Sequence, residues 1–381
     1  MGPGSRGSTA IPTEDYTVSR TFKLAAALAA SVALVSAAQA EERRVNVYNW
    51  SDYIDDSILE DFTKETGIEV TYDVFDSNEL LETKLLAGST GYDVVVPTGS
   101  FLARQIQAGV FQPLDKEKLT NLDNLDQDIA ARLATYDPDN KHAVNYMWGT
   151  TGIGYNKAAA QERLGTDTID SWDVIFDPEQ LAKFKDCGVH FLDAPTELIP
   201  AALNYLGKDP DSKAPEDIEA AGELLKTVRD SVQKFHSSEY INGLANGDIC
   251  LAIGWSGDVF QARDRAAEAD NGVEIDFSIP EQGAQMWFDN MAILADAENV
   301  EEAHEFINYI MRPEVIAKAT NYVYYANGNE ASKPLLEEDI TGDPAIYPPE
   351  DVMAKLYTTT PFGPREQRTL TRTWTDVKTG Q

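Results

Sequence analysis

Apolar and polar positions follow two rhythms along this chain, and each change of rhythm marks an element. "VNVYN" (45–49) predicts a short strand. In "SILEDFTKETG" (57–67), Ile58, Leu59 and Phe62 recur at helical spacing, and Gly67 ends the pattern. "IEVTYDVF" (68–75) predicts the next strand. "DSNELLETKLLAGS" (76–89) predicts a helix that opens on a capping box, Asp76 and Glu79, and stops at Gly88. "YDVVVP" (92–97) predicts a buried strand and "SFLARQIQAG" (100–109) another helix. Strands alternating with helices at this spacing predict a mostly parallel sheet covered on both faces. Ligands of such sheets sit beyond the carboxyl ends of the strands. Trp50 to Tyr53 and Thr98 with Ser100 fall there.

Residues 115–142 are polar and loop-rich, and "YMWGTTGIGYN" (146–156) predicts an extended crossing into a second unit. That unit has its own alternation: strand 188–193, helices over 197–206 and 215–235, helix "SEYINGLANG", then strands 249–255 and 273–280. "MWFDNMAIL" predicts a strand returning to the first unit, followed by helix 299–313, which Pro313 ends. The fold class is therefore α/β with two lobes and a cleft between them. Residues 41–147 with 286–325 make lobe 1 and 148–285 lobe 2, with 326–381 packing mainly on lobe 2. Of the 381 residues, the 341 left after the 40 at the start of the chain exceed the ~250–300 at which one core stops growing, which also predicts two lobes.

The start of the chain belongs to neither lobe. Lys23, an apolar run from Leu24 to Ala37, and Ala38-Gln39-Ala40 have the order of a secretory signal peptide over 21–40. Residues 1–20 precede it as a leader. The formal net charge is −33, from 64 acidic against 31 basic residues. Such a field repels nucleic acid and favours cationic partners. The two cysteines, Cys187 and Cys250, in an exported chain predict one disulfide. The four histidines (His142, His190, His236, His304) are scattered, so no metal site is expected.

Candidate chemistry comes from a recurrence. "NWSDY" (49–53), "GWSGD" (254–258) and "MWFDN" (286–290) each set a tryptophan near an aspartate beside an expected strand end. Singly, such a tryptophan belongs to a core and such an aspartate caps a helix. Three together predict a cage for an organic cation. An ammonium gains roughly 2 kcal/mol from a desolvated aromatic face and needs buried anions as partners. Trp50, Tyr53, Trp255, Trp287 and Tyr325 are the expected walls, and Asp52, Glu197, Asp258 and Asp289 the anions.

The segments "YNWSDYI", "AGSTGYDVVVP", "YMWGTTGIGYN", "FLDAP", "HSSEYINGLANGDICLAIGWSGDV", "FSIPEQGA", "VYYANGN" and "TRTWTDVK" resemble, in the same order, bacterial periplasmic polyamine-binding proteins. The resemblance is strongest to the putrescine-binding branch. It implies a type II periplasmic binding protein of two α/β lobes that close on putrescine, or on spermidine as second choice. It further implies a monomer in the periplasm that delivers ligand to the inner-membrane permease of an ABC importer, with no cofactor. By position it makes Trp50, Ser51 and Tyr53 ligand contacts, with Asp52 beside them tuning selectivity. Thr98 stands where a serine is usual, Glu197 faces one amine, and Trp255 with Asp258 matches W-x-G-D. Trp287 stands where phenylalanine is common, which implies a shorter cavity or a shifted preference; Asp289 and Tyr325 complete the site. A disulfide at positions matching Cys187 and Cys250 is also implied. "TTTPFGPREQRT" (358–369) departs from the family pattern.

Two rival classes are weighed against this reading. A glycoside hydrolase also clusters carboxylates and tryptophans, but no general-acid pair, GxSxG or HExxH motif is present. A sugar- or oligopeptide-binding protein on the same scaffold would pair its aromatics with Asn, Gln and Arg as well as Asp. The expectation is a binding protein, with no catalytic residue.

Overall fold

The computed structural model describes residues 43–380. The expected leader and signal peptide lie outside the described residues. The described residues form one sheet of ten strands, eight of them on a path ordered β2-β1-β3-β9-β4-β7-β5-β6, with β8 and β10 off that path and paired to β4. β1 (Arg44–Trp50) pairs in parallel with β2 (Glu69–Phe75) and β3 (Val94–Val95). On the other flank β5 (Val189–Phe191) pairs in parallel with β6 (Lys234–Phe235) and β7 (Leu251–Trp255). The two parallel flanks meet through antiparallel partners, β4 (Ala143–Asn156) and β9 (Met286–Ile293).

β4 is the expected crossing, and it is one strand of 14 residues. Its first half pairs with β9, its second with β7 and β8 (Ile275–Ser278). Its glycines have a steric reason: a Cβ on Gly152 would lie 2.5 Å from the Phe277 ring, and one on Gly154 2.7 Å from Val259. The short strand β10 (Ala326–Asn327) pairs with Trp148 and Met147 of β4. The helix Pro364–Thr379 packs instead on Pro215–Val228 and Pro195–Tyr205. Trp374 Nε1 and Lys378 Nζ both donate to Asp193, at 2.7 and 2.9 Å.

Local signals place the helices that lead into the site. Asp55 caps Asp56–Thr66 by accepting from Ser57 N, and Gly67 closes it at φ 72°. The next helix, Asn78–Ala87, is capped by Ser77, whose hydroxyl accepts from Leu80 N. The expected capping box with Asp76 therefore does not form, and Asp76 is left free for other contacts. The helix Gln127–Leu133, inside the stretch expected to be loop, begins at Asp126, which accepts from Asp128 N and Ile129 N.

Cys187 and Cys250 are joined, with Cα atoms 5.6 Å apart across a sequence separation of 63. The bond ties the entry of β5 to that of β7. A Cys187→Ser/Cys250→Ser variant is expected to unfold at lower urea, with a loss on the order of 4 kcal/mol in the chain-entropy model. Equal midpoints for the variant and the oxidised protein would remove that role.

Candidate functional site

Strand ends on both sides of the molecule converge on one cavity. Trp50, the last residue of β1, donates from Nε1 to Val96 O at 2.9 Å and meets Trp255, the last residue of β7, edge to face with centroids 5.5 Å apart. The third cluster sits differently from expectation: Trp287 and Asp289 lie within β9, not at its end. Alternation puts both on the same face, and antiparallel pairing sets them opposite Gly149 and Met147. A Cβ on Gly149 would sit 2.9 Å from the Trp287 ring, so glycine there lets the indole lie flat on β4. Gly257 does the same for Tyr325, whose ring a Cβ would meet at 2.4 Å.

Three carboxylates project into this aromatic cage, each already held by two donors. Asp289 accepts from Tyr53 Oη at 2.8 Å and Thr98 Oγ1 at 2.6 Å. Thr98 is itself fixed by Asn78, whose amide donates to Oγ1 at 2.9 Å and accepts from Thr98 N. Asp258 accepts from Tyr240 Oη at 2.7 Å and Tyr325 Oη at 2.6 Å. Glu197, in the first turn of Pro195–Tyr205, accepts from Trp255 Nε1 at 3.0 Å and from the Thr151 hydroxyl. Loss of solvation pushes Glu197, Asp258 and Asp289 each up to about 7, against the opposing pull of these hydrogen bonds. Asp258 raises Asp289 further, and Asp289 raises Glu197.

Of the residues expected to touch ligand, Trp50, Ser51, Tyr53, Thr98 and Glu197 line the cavity, as do Trp255, Asp258, Trp287, Asp289 and Tyr325. Asp52, expected beside these contacts, stands apart from them. It is absent from the lining and stands in a turn at φ 54°, with its carboxylate 2.5 Å from Arg265. The left-handed turn breaks the strand alternation that would have aimed it inward. Asp76 lines the cavity although it was expected to cap a helix. A signal for it was present: Phe75 is in register with Trp50, so the residue after β2 emerges at the same sheet end as "NWSDY".

Among the described residues the lining contains no Lys, Arg or His. Acidic groups behind aromatic walls, with no basic side chain among them, suit a guest that carries positive charge and donates hydrogen bonds. Among the described residues no group of three His, Cys, Asp or Glu could hold a metal ion.

Residues 57–348 match the family described as bacterial extracellular solute-binding protein. Similar relatives include a putrescine-binding periplasmic protein, SpuD, of Pseudomonas aeruginosa, 54% identical over 94% of this chain and 98% of that one. Another is the putrescine-binding periplasmic protein PotF of Escherichia coli, 55% identical over 90% of this chain and 93% of that one. Among solved structures, a putative spermidine/putrescine ABC transporter from Listeria monocytogenes superposes with a TM-score of 0.79 at 32% identity, over 89% of this chain and 100% of that one. The fold is that of type II periplasmic binding proteins, two α/β lobes with the site in the cleft. The chain belongs to the bacterial extracellular solute-binding protein family.

Proposed function

We propose that this chain captures a polyamine in the periplasm, putrescine before spermidine, and hands it to the permease of an ABC importer. One observation carries the reading: three buried carboxylates face an aromatic cage whose lining, among the described residues, holds no basic side chain. The putrescine-binding names of relatives more than half identical support the same ligand class. In this reading Asp258 and Glu197 belong to lobe 2 and Asp289 to lobe 1, with lobe 1 formed by 41–147 and 286–325 and lobe 2 by 148–285. A diamine held from both sides has greater affinity for the closed form and shifts the population toward it. The methylene chain lies between the indoles and phenols while each ammonium meets a carboxylate. The chain itself performs no reaction; ATP hydrolysis belongs to the importer.

Calorimetry on ligand-stripped protein with putrescine, spermidine and maltose tests this. The expected result is tight binding of the diamine, weaker binding of the triamine, and no heat with the sugar. Heat with maltose and none with either amine would replace the reading by that of a sugar-binding protein.

A further inference from the structure

The helix Ser256–Glu268 carries Asp258, Gln261 and Arg265 at spacing i, i+3 and i+7, so one face presents all three. Asp258 belongs to the cage. One turn on, Gln261 Nε2 donates to Asp52 O at 3.1 Å and to Val323 O at 3.4 Å, and its side chain is buried, 6% exposed. Two turns on, Arg265 Nη2 donates to Asp52 Oδ1 at 2.5 Å, where both side chains are 35% exposed. We propose that Gln261 is the residue that fastens the closed state, its amide clasping two backbone carbonyls across the cleft and setting how long ligand stays bound. The inference rests on the polyamine reading and its division into lobes, which put Asp52 and Val323 on lobe 1 and Gln261 on lobe 2.

Burial decides between the two clasps. An ion pair that exposed is screened by salt and contributes little. The Gln261 amide itself is buried, its bond to Val323 O lies out of water and that to Asp52 O lies partly so, and leaving a buried amide unpaired is costly. Asp52 is built for the clasp by its backbone: φ is 54°, a conformation few residues other than glycine hold, and in it the carbonyl meets Gln261. Opening the cleft separates these groups and hydrates them, so the clasp exists only in the closed form. Because Asp258 and Gln261 ride on one rigid helix, a cation drawn to the first brings the second into place. Gln261 is therefore a positioning residue, not a ligand contact.

The test is stopped-flow tryptophan fluorescence with putrescine on the full chain, beside calorimetric Kd values. Gln261→Leu is expected to raise the dissociation rate roughly tenfold with association nearly unchanged, and the ratio to wild type should hold at high salt. Asp52→Gly removes the carboxylate but takes a positive φ freely, and its dissociation should rise by less than about threefold. Asp52→Val removes the same carboxylate and resists that φ, so it should approach Gln261→Leu. Should Gln261→Leu fold poorly, the glycine–valine contrast at Asp52 still decides. A wild-type dissociation rate in Gln261→Leu, or equal loss in Asp52→Gly and Asp52→Val, overturns the clasp. Absence of any putrescine binding by wild type overturns instead the polyamine reading.

Discussion

Asp289→Ala should weaken putrescine binding by at least about tenfold and nearer a hundredfold, with Asp258→Ala close behind, because removing one partner of a buried ion pair leaves the other charge uncompensated. The loss has two parts. The ammonium forfeits its counter-ion in a cavity walled by Trp287 and Tyr325. The donors that Asp289 now occupies, Tyr53 Oη and Thr98 Oγ1, also lose their acceptor. Asp289→Asn separates these parts: it keeps an oxygen for one hydroxyl but removes the charge, so a loss nearly as large would assign most of the effect to electrostatics. The ligand-free protein should still fold, since burial and the neighbouring Asp258 already disfavour an ionised Asp289, but with lower stability in Asp289→Ala than in Asp289→Asn because the two hydroxyls lose their acceptor there as well. Calorimetry for affinity and thermal melts without ligand provide the readout. Wild-type affinity in both alanine variants would remove the carboxylates from the binding site.

Much of this cage could be read from sequence because its members come in adjacent pairs. A tryptophan followed two or three residues later by an aspartate needs no tertiary knowledge to be noticed. The supports could not be read the same way. Tyr240 reaches Asp258, Asn78 reaches Thr98 and Thr151 reaches Glu197 only after the sheet has formed. Asp52 could not be told from its neighbours in sequence, since an acidic residue next to Trp50 looks equivalent to them until the turn's φ is known. In the fold, the first helices and the long strands were legible from periodicity, but the helices Ser256–Glu268, Pro313–Val323 and Pro364–Thr379 were not. Pro313 opens a helix instead of ending one, and Lys234–Phe235 is a strand inside the expected helix 215–235. "YDVVVP" contracts to the two residues Val94–Val95. Hydrophobicity there reflects burial on both faces rather than the length of the ladder. The helix Gln127–Leu133 was missed although Asp126 precedes it and Ile129 and Leu133 stand four apart, both buried. Polar neighbours at 127 and 128 hid a pattern only two turns long.

Putrescine affinity should rise with pH across the neutral range, and the sign follows from the cage itself. Below pH 9 the diamine keeps both charges, as amines of this kind titrate near ~10, so the dependence must come from the protein. Without ligand, Glu197, Asp258 and Asp289 sit up at about 7, chiefly through burial, with Tyr240, Tyr325, Tyr53, Thr98 and Thr151 opposing it. Asp52 pushes Asp258 up and Arg265 pulls it down. A bound dication requires ionised carboxylates and expels these protons, and each one expelled changes affinity about tenfold per pH unit below 7. Between pH 8 and pH 6 the Kd should therefore worsen by roughly ten- to a hundredfold. Stability of the free protein should run the other way. A carboxyl raised above its unfolded value near ~4 binds its proton more tightly in the fold, so that stabilisation is full at low pH and is lost as pH rises through about 7. The thermal shift produced by putrescine should accordingly be small at pH 5.5 and large at pH 8. Calorimetry in two buffers of different ionisation enthalpy counts the protons directly, since the observed heat changes by the difference in buffer enthalpy for each proton released. A Kd constant from pH 5.5 to 8.5 with no buffer-dependent heat would mean that the carboxylates are ionised before ligand arrives, and that the cage holds its charge without the cation.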